Sequence, residues 1–161
     1  MSQTSYSLEA GLAFEGMLGD AAGGGPTRRS ISRANESATA SFFGRGVTYG
    51  TDPDTQFKLP TATGAALAGV TVHKHGTENV EDNGVAQDET AELLTSGRIW
   101  VSPEQAVTPA SAVYWRHTAG AGTVGKFRVD ADTANADVVA NARWLTSCAA
   151  DGYALLELIT P

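Results

Sequence analysis

The chain has 161 residues, 42% of them hydrophobic and 18% charged, with 18 glycines, one cysteine and a net charge of −7. That is enough chain for one domain that buries a core without disulfides, and Cys148 alone builds neither an internal disulfide nor a cysteine metal site. The acidic balance argues against gripping a phosphate backbone, and no run approaches the ~18 apolar residues that span a bilayer, so neither nucleic acid nor membrane is expected as a partner.

Residues 1–10 lack a basic region and an apolar run. No signal peptide is read there, and synthesis in the cytoplasm as a soluble protein is expected. Through residue 30, Leu8, Leu12, Phe14, Met17 and Leu18 are scattered among small residues. Gly11, Gly16, Gly19 and the run Gly23-Gly24-Gly25-Pro26 oppose a long helix, at about 1 kcal/mol for each interior glycine. The pattern reads as an extended N-terminal arm over residues 1–37 that orders on a partner, followed by a β-rich body over 38–161. Leu12, Phe14, Met17 and Leu18 are its expected apolar anchors. Arg28, Arg29 and Arg33 are expected to meet carboxylates of a partner, the alternative being an ordinary solvated loop.

From about residue 38 short strands alternate with turns. The expected strands are Phe42–Tyr49, Thr55–Leu59, Leu67–His73, Thr90–Thr95, Arg98–Val101, Ala112–Arg116, Lys126–Val129, Arg143–Ser147 and Tyr153–Ile159. Tyr49-Gly50-Thr51-Asp52-Pro53-Asp54, Glu81-Asp82-Asn83-Gly84, Ser96-Gly97 and Asp151-Gly152 carry turn chemistry. Only Ala131–Ala142 suits a helical turn or two. The sum is a mainly β fold, a compact β-barrel or sandwich.

Motifs that could carry chemistry are weak. Gly120-Ala121-Gly122-Thr123-Val124-Gly125 spells GxGxxG, but Lys126-Phe127-Arg128-Val129 after it alternates like a strand, so a glycine-rich hairpin or a mobile loop is expected. His73 and His75 could share a strand face, yet only His117 remains as a third histidine, too few for a zinc site. Asp130-Ala131-Asp132-Thr133-Ala134-Asn135 lacks the glycine and terminal glutamate of a calcium loop and reads as a solvated turn. Cys148 with His117 is the only thiol–imidazole option, and a lone cysteine near a strand end reads as packed core. Trp100, Trp115 and Trp144 each fall within an expected strand, which points to core or subunit packing. No catalytic residue, metal ligand or cofactor is assigned, and a binding or structural role is favoured over an enzyme.

Several blocks follow one another in a familiar order: Ala10-Gly11-Leu12-Ala13-Phe14-Glu15-Gly16-Met17-Leu18-Gly19-Asp20, Phe43-Gly44-Arg45-Gly46-Val47, Phe57-Lys58-Leu59-Pro60-Thr61-Ala62-Thr63-Gly64, Gly97-Arg98-Ile99-Trp100-Val101, Val113-Tyr114-Trp115-Arg116 and Ala142-Arg143-Trp144-Leu145. In this the chain resembles the structural cement, or capsid decoration, proteins of tailed bacteriophages. The resemblance implies a small non-enzymatic β protein with a jelly-roll or tulip-like body, placed on the outer capsid surface of the virion. Its implied partners are the major capsid protein of the phage head and further copies of itself, commonly as a homotrimer that bridges capsomers and strengthens the expanded shell. The competing expectations are another virion part, such as a tail or fibre component, and a small cupin-like β-barrel that binds a metal or ligand.

Overall fold

The computed structural model of the chain describes residues 13–19, 25–74 and 84–159. In chain order the strands are β1 (Arg29–Asn35), β2 (Ser41–Phe42), β3 (Gly46–Tyr49), β4 (Gln56–Lys58), β5 (Leu67–Thr71), β6 (Gly84–Val85), β7 (Thr90–Val101), β8 (Tyr114–Arg116), β9 (Phe127–Arg128), β10 (Ala136–Val138), β11 (Ala142–Trp144) and β12 (Ala154–Leu158). Five of them close on themselves in the order β1-β4-β3-β5-β7, with β7 pairing back to β1. The result is a mainly β fold built on a closed five-stranded barrel. Closure removes the free edges that a small open sheet would expose. The β1–β4 pair is parallel, and every other pair in the barrel is antiparallel.

β7 joins the barrel to a second layer. Its first half pairs with β1, from Thr90↔Ala34 to Ser96↔Arg29, and its second half pairs with β12, from Gly97↔Leu158 to Val101↔Ala154. The sequence reads a turn at Ser96-Gly97, but the strand runs through. Gly97 has φ +125°, a conformation that side chains other than glycine's rarely adopt, and this lets one strand serve both layers. β12 carries β11 on its far side, and a three-stranded sheet in the order β10-β8-β9 completes the second layer.

Side-chain alternation along β7 sorts the core into two clusters. Leu93 packs with Phe43, Val47, Phe57, Val85 and Ala91, a group drawn largely from the barrel strands. Leu94 faces the other way, and the register shift opposite Arg29 and Ser30 turns Ile99 to the same side, toward Trp115, Phe127, Trp144 and Leu156 of the second layer. Trp115 and Trp144 are buried as core residues, whereas Trp100 is half-buried.

Two readings of the sequence are corrected here. Arg29–Asn35 falls inside the expected arm, yet it is a barrel strand with six paired positions on β7, so the boundary at 37/38 does not separate an arm from the body. Its alternation is masked because only Ile31 among the outward and inward residues is large and apolar. The stretch expected to be helical at Ala131–Ala142 holds a 3-10 turn at Asp132–Ala134 and then β10 and the start of β11.

Candidate functional site

The expected arm residues that are described lie against the body. The Gly16 amide donates to the Trp100 carbonyl at 2.9 Å, the Trp100 amide to Met17 at 2.8 Å, and the Gly19 amide to Arg98 at 2.8 Å. The His73 amide donates to the Gly16 carbonyl at 2.9 Å. Residues 16–19 therefore supply partners to the side of β7 that faces away from β12, where backbone groups would otherwise be left open. Gly16 makes this possible. Its φ is +81°, and a Cβ there would stand 2.8 Å from both Phe43 Cβ and the His73 amide.

The anchors divide accordingly. Ala13 is buried, and Leu18 packs against the second-layer core. Met17 is half-buried. Phe14 is 40% exposed and meets the His73 ring edge-on at 4.6 Å, with Phe43 on that ring's other contact at 4.7 Å. Leu12 lies outside the described residues, as does His75. Beneath this segment Arg45 is buried, its Nη2 3.7 Å from Glu15 Oε1. Burial pushes the Arg45 pKa down, and the Glu15 charge opposes that shift. Among the described residues Arg45 Nε, Arg45 Nη1 and Glu15 Oε1 have no hydrogen-bond partner.

The three expected arginines do not form one group. Arg28 Nη2 donates to Glu92 Oε1 at 2.6 Å, and Arg29 is exposed at the start of β1. Arg33 sits toward the opposite end, where its guanidinium donates to the Pro53 carbonyl and lies 5.4 Å from the Tyr49 ring centre. Of two arginines that the sequence left unassigned, Arg98 lines a small pocket with Arg28 and Arg143 joins Arg98 through a shared carboxylate. Arg98, Glu157 and Arg143 are directly opposed across β7, β12 and β11. Arg98 Nε donates to Glu157 Oε1 at 2.9 Å and Arg143 Nε to Glu157 Oε2 at 2.5 Å. Burial pushes the Glu157 carboxyl up, but the bonds and charges of Arg98 and Arg143 outweigh it and hold the pKa below its ordinary value.

A second ionic cluster fastens the β8–β9 hairpin. Glu104 accepts from Arg116 through both oxygens, from Arg128 Nη1 at 2.8 Å and from the Thr123 amide at 3.1 Å. Asp132 Oδ2 lies 2.7 Å from Arg116 Nη2, and Asp130 Oδ1 accepts from Arg128 Nη2 at 2.6 Å. The bond from Gln105, together with those from Arg128 and the Asp132 amide, lowers the Asp130 pKa to about 2. The acidic loop read as a solvated turn is thus half of an ion-pair platform, and the glycine-rich stretch is the hairpin loop that lies over it. An open pocket of about 370 Å³ adjoins this cluster, and its charged lining is spent on these internal pairs. Among the described residues no three His, Cys, Asp or Glu side chains are placed to hold a metal, and no helix is long and apolar enough to cross a membrane.

The arrangement is one of packed strands, pinned arginines and a docked leading segment. A model of the family described as structural cement protein (E217 gp24/Pam3 gp6) matches residues 2–159. The chain belongs to this structural cement family. Its fold recurs in a chain from the capsid of Myoviridae phage XM1, with a TM-score of 0.70 at 17% identity over 99% of this chain and 98% of that one. The N base of head fiber gp8.5 of bacteriophage phi29 shares it more loosely, with a TM-score of 0.50 at 10% identity over 82% of this chain and 94% of that one. At these identities the two likenesses are of fold. No curated protein matches the chain. As a cement-family member the protein is a structural component of a phage virion that decorates the capsid.

Proposed function

We propose that this cement protein binds the outer surface of the phage head, seats over the junctions between neighbouring capsomers, and holds the expanded shell against the pressure of packaged DNA. The family match across residues 2–159 carries this reading. The physical account is mass action: a ligand that binds only the assembled shell stabilises that shell. Contacts to the major capsid protein come from the N-terminal residues, with Leu12, Phe14 and Met17 as apolar contacts and Arg28 and Arg29 as charged ones. Phe14 supports this, since a large aromatic side chain 40% exposed on a well-packed body is free to meet a partner. The working unit is a homotrimer. Three linked attachments act together, so that the second and third are effectively intramolecular.

The test uses heads purified from phage that lack this chain, challenged by heat and osmotic shock with and without the purified protein. Add-back is expected to raise survival to the level of complete particles, at a copy number in the hundreds. Equal survival without the protein overturns the reading.

A further inference from the structure

The charges of the body are sorted along β1. At its leading end stand Arg28, Arg29 and Arg98, and Glu157 links Arg98 across β12 to Arg143 on β11. Arg28 lies beside Gly97, and Arg98 reaches Gly25. Among the described residues the carboxylates bonded to these guanidiniums are Glu92, to Arg28, and Glu157, to Arg98 and Arg143. Arg28 and Arg143 side chains are 52% and 61% exposed. At the trailing end of β1, roughly 20 Å away at ~3.3 Å per residue, the charge reverses. The turn at Asp52–Thr55 bonds to Ala34, and the turn carrying Asp88 and Glu89 bonds to Asn35. With Glu36, five carboxylates there face Arg33 and Lys58.

We infer that the face formed by Arg28, Arg29, Arg98 and Arg143 is the docking surface for a carboxylate-bearing protein partner, and that the molecule sits on the shell with this end inward and the acidic end outward. The inference rests on the decoration reading for the identity of the partner. Three observations carry it. A locally basic face on a chain of net charge −7 complements a local acidic patch. A long polyanion would run past it into acidic surroundings. Two of the arginines are also held in place: Glu157 is fully buried and fixes Arg98 and Arg143 across adjacent strands, so little order of those side chains remains to be gained on binding. Finally, Leu18, Gly19, Gly25 and Pro26 border the face together with Arg28 and Arg98. The leading segment therefore joins the body at the same place and extends the same contact. Exposed Ile159, beside Arg29 and Pro26, supplies an apolar element.

The probe is the same decoration-deficient head. The variant Arg28→Glu/Arg29→Glu/Arg143→Glu leaves Arg98 in place to neutralise buried Glu157. It is compared with Asp52→Lys/Asp54→Lys/Asp88→Lys and with the milder Arg29→Gln/Arg143→Gln. Circular dichroism confirms that each is folded, and the glutamine variant keeps the test valid should the triple reversal unfold. Reversal of the basic face is expected to weaken binding at least about tenfold, with the glutamine variant intermediate and wild-type binding falling as salt rises. The acidic-end variant is expected to bind as wild type. Wild-type-like binding by the basic-face variant, or an equal loss in the acidic-end variant, overturns the assignment. So does tight binding of wild type to duplex DNA that the arginine changes abolish, or loss of self-association as the sole effect of those changes. Failure of wild type to bind heads at all is a different result: it removes the decoration reading itself, and this assignment with it.

Discussion

Arg116 grips Glu104 with two parallel hydrogen bonds, Nε to Oε1 and Nη2 to Oε2, both 2.7 Å long, in a setting where Arg116 is 2% and Glu104 11% exposed. A fork-to-fork pair of this kind holds geometry as well as charge. The remaining Arg116 donor, Nη1, goes to the Thr118 and Ala119 carbonyls, so the guanidinium fixes the start of the glycine-rich loop. Removing the carboxylate takes from the buried Arg116 and Arg128 the least exposed acceptor they share, leaving them the more exposed Asp132 and Asp130. Glu104→Ala is therefore expected to destabilise the protein by about 3 kcal/mol, the order found when one partner of a buried pair is deleted. Chemical denaturation monitored by tryptophan fluorescence measures this, and a loss under about 1 kcal/mol would show that the cluster is solvated and slack.

Acid should dismantle the same region. Asp130 has its pKa lowered to about 2, chiefly by the bonds from Gln105 and Arg128. The Arg116 bond lowers Asp132, and the Lys126 bond lowers Asp151. A carboxyl whose folded pKa lies below its unfolded value binds protons more readily when unfolded. Its contribution is complete above the ordinary carboxylate pKa and is lost as pH falls through the folded one. Melting temperature is thus expected to hold steady down to about pH 4 and to drop steeply toward pH 2. In Asp130→Asn the drop is expected to be shallower at the acid end. Identical pH profiles for the two proteins would remove Asp130 from the account.

Much of the body could be read from pattern alone, because strands rich in Val, Trp and Phe that end in Gly or Asp turns report their own burial. The hairpin around Gly120–Gly125 and the core placement of Trp115 and Trp144 are of this kind. β1 was illegible for a physical reason: Arg-Ser-Ile-Ser-Arg-Ala-Asn shows one large apolar residue, and its stability comes from backbone pairing with β7. Ser96-Gly97 spells a turn, so the sequence divides β7 into two strands, whereas in the fold Gly97 takes φ +125° within one continuous strand. The charged clusters were illegible for another reason. Glu104, Arg116 and Asp132 are far apart in sequence, as are Arg98, Arg143 and Glu157, and no local spacing announces a pair formed by topology. Phe14, by contrast, stands out in the sequence as a scattered apolar residue, and in the fold it is exposed against the His73 ring.

Gly16 gives a direct handle on the leading segment. A valine there must take a positive φ and place its Cβ against the Phe43 side chain and the His73 backbone, neither of which can yield easily. The strain, on the order of 1–3 kcal/mol before the clash, falls on a stretch held by a few backbone bonds. Gly16→Val is therefore expected to detach residues 13–19 while the barrel stays folded. Hydrogen exchange reads this out at the Trp100 amide, which loses its Met17 acceptor, and at the Gly19 amide, which loses Arg98. Full protection at both amides in the variant would show that the segment tolerates the side chain and that its docking does not depend on Gly16.

Truncation can separate attachment from stability, provided the cut respects the contacts of residues 13–19. Removing residues 1–19 takes away Leu18, which packs on the second-layer core, and opens the Arg98 and Trp100 backbone groups on β7. It also leaves Arg45 buried without Glu15. A cut after residue 12 keeps all of these contacts. The longer deletion is accordingly expected to be less stable than the shorter by about 2–3 kcal/mol, the combined scale of a half-buried leucine and a few net hydrogen bonds. If the first twelve residues supply shell contacts, the shorter deletion keeps its melting temperature and loses affinity for undecorated heads. Equal stability of the two truncations would mean that residues 13–19 add nothing to the body, and decoration by both at wild-type strength would place attachment wholly on the barrel.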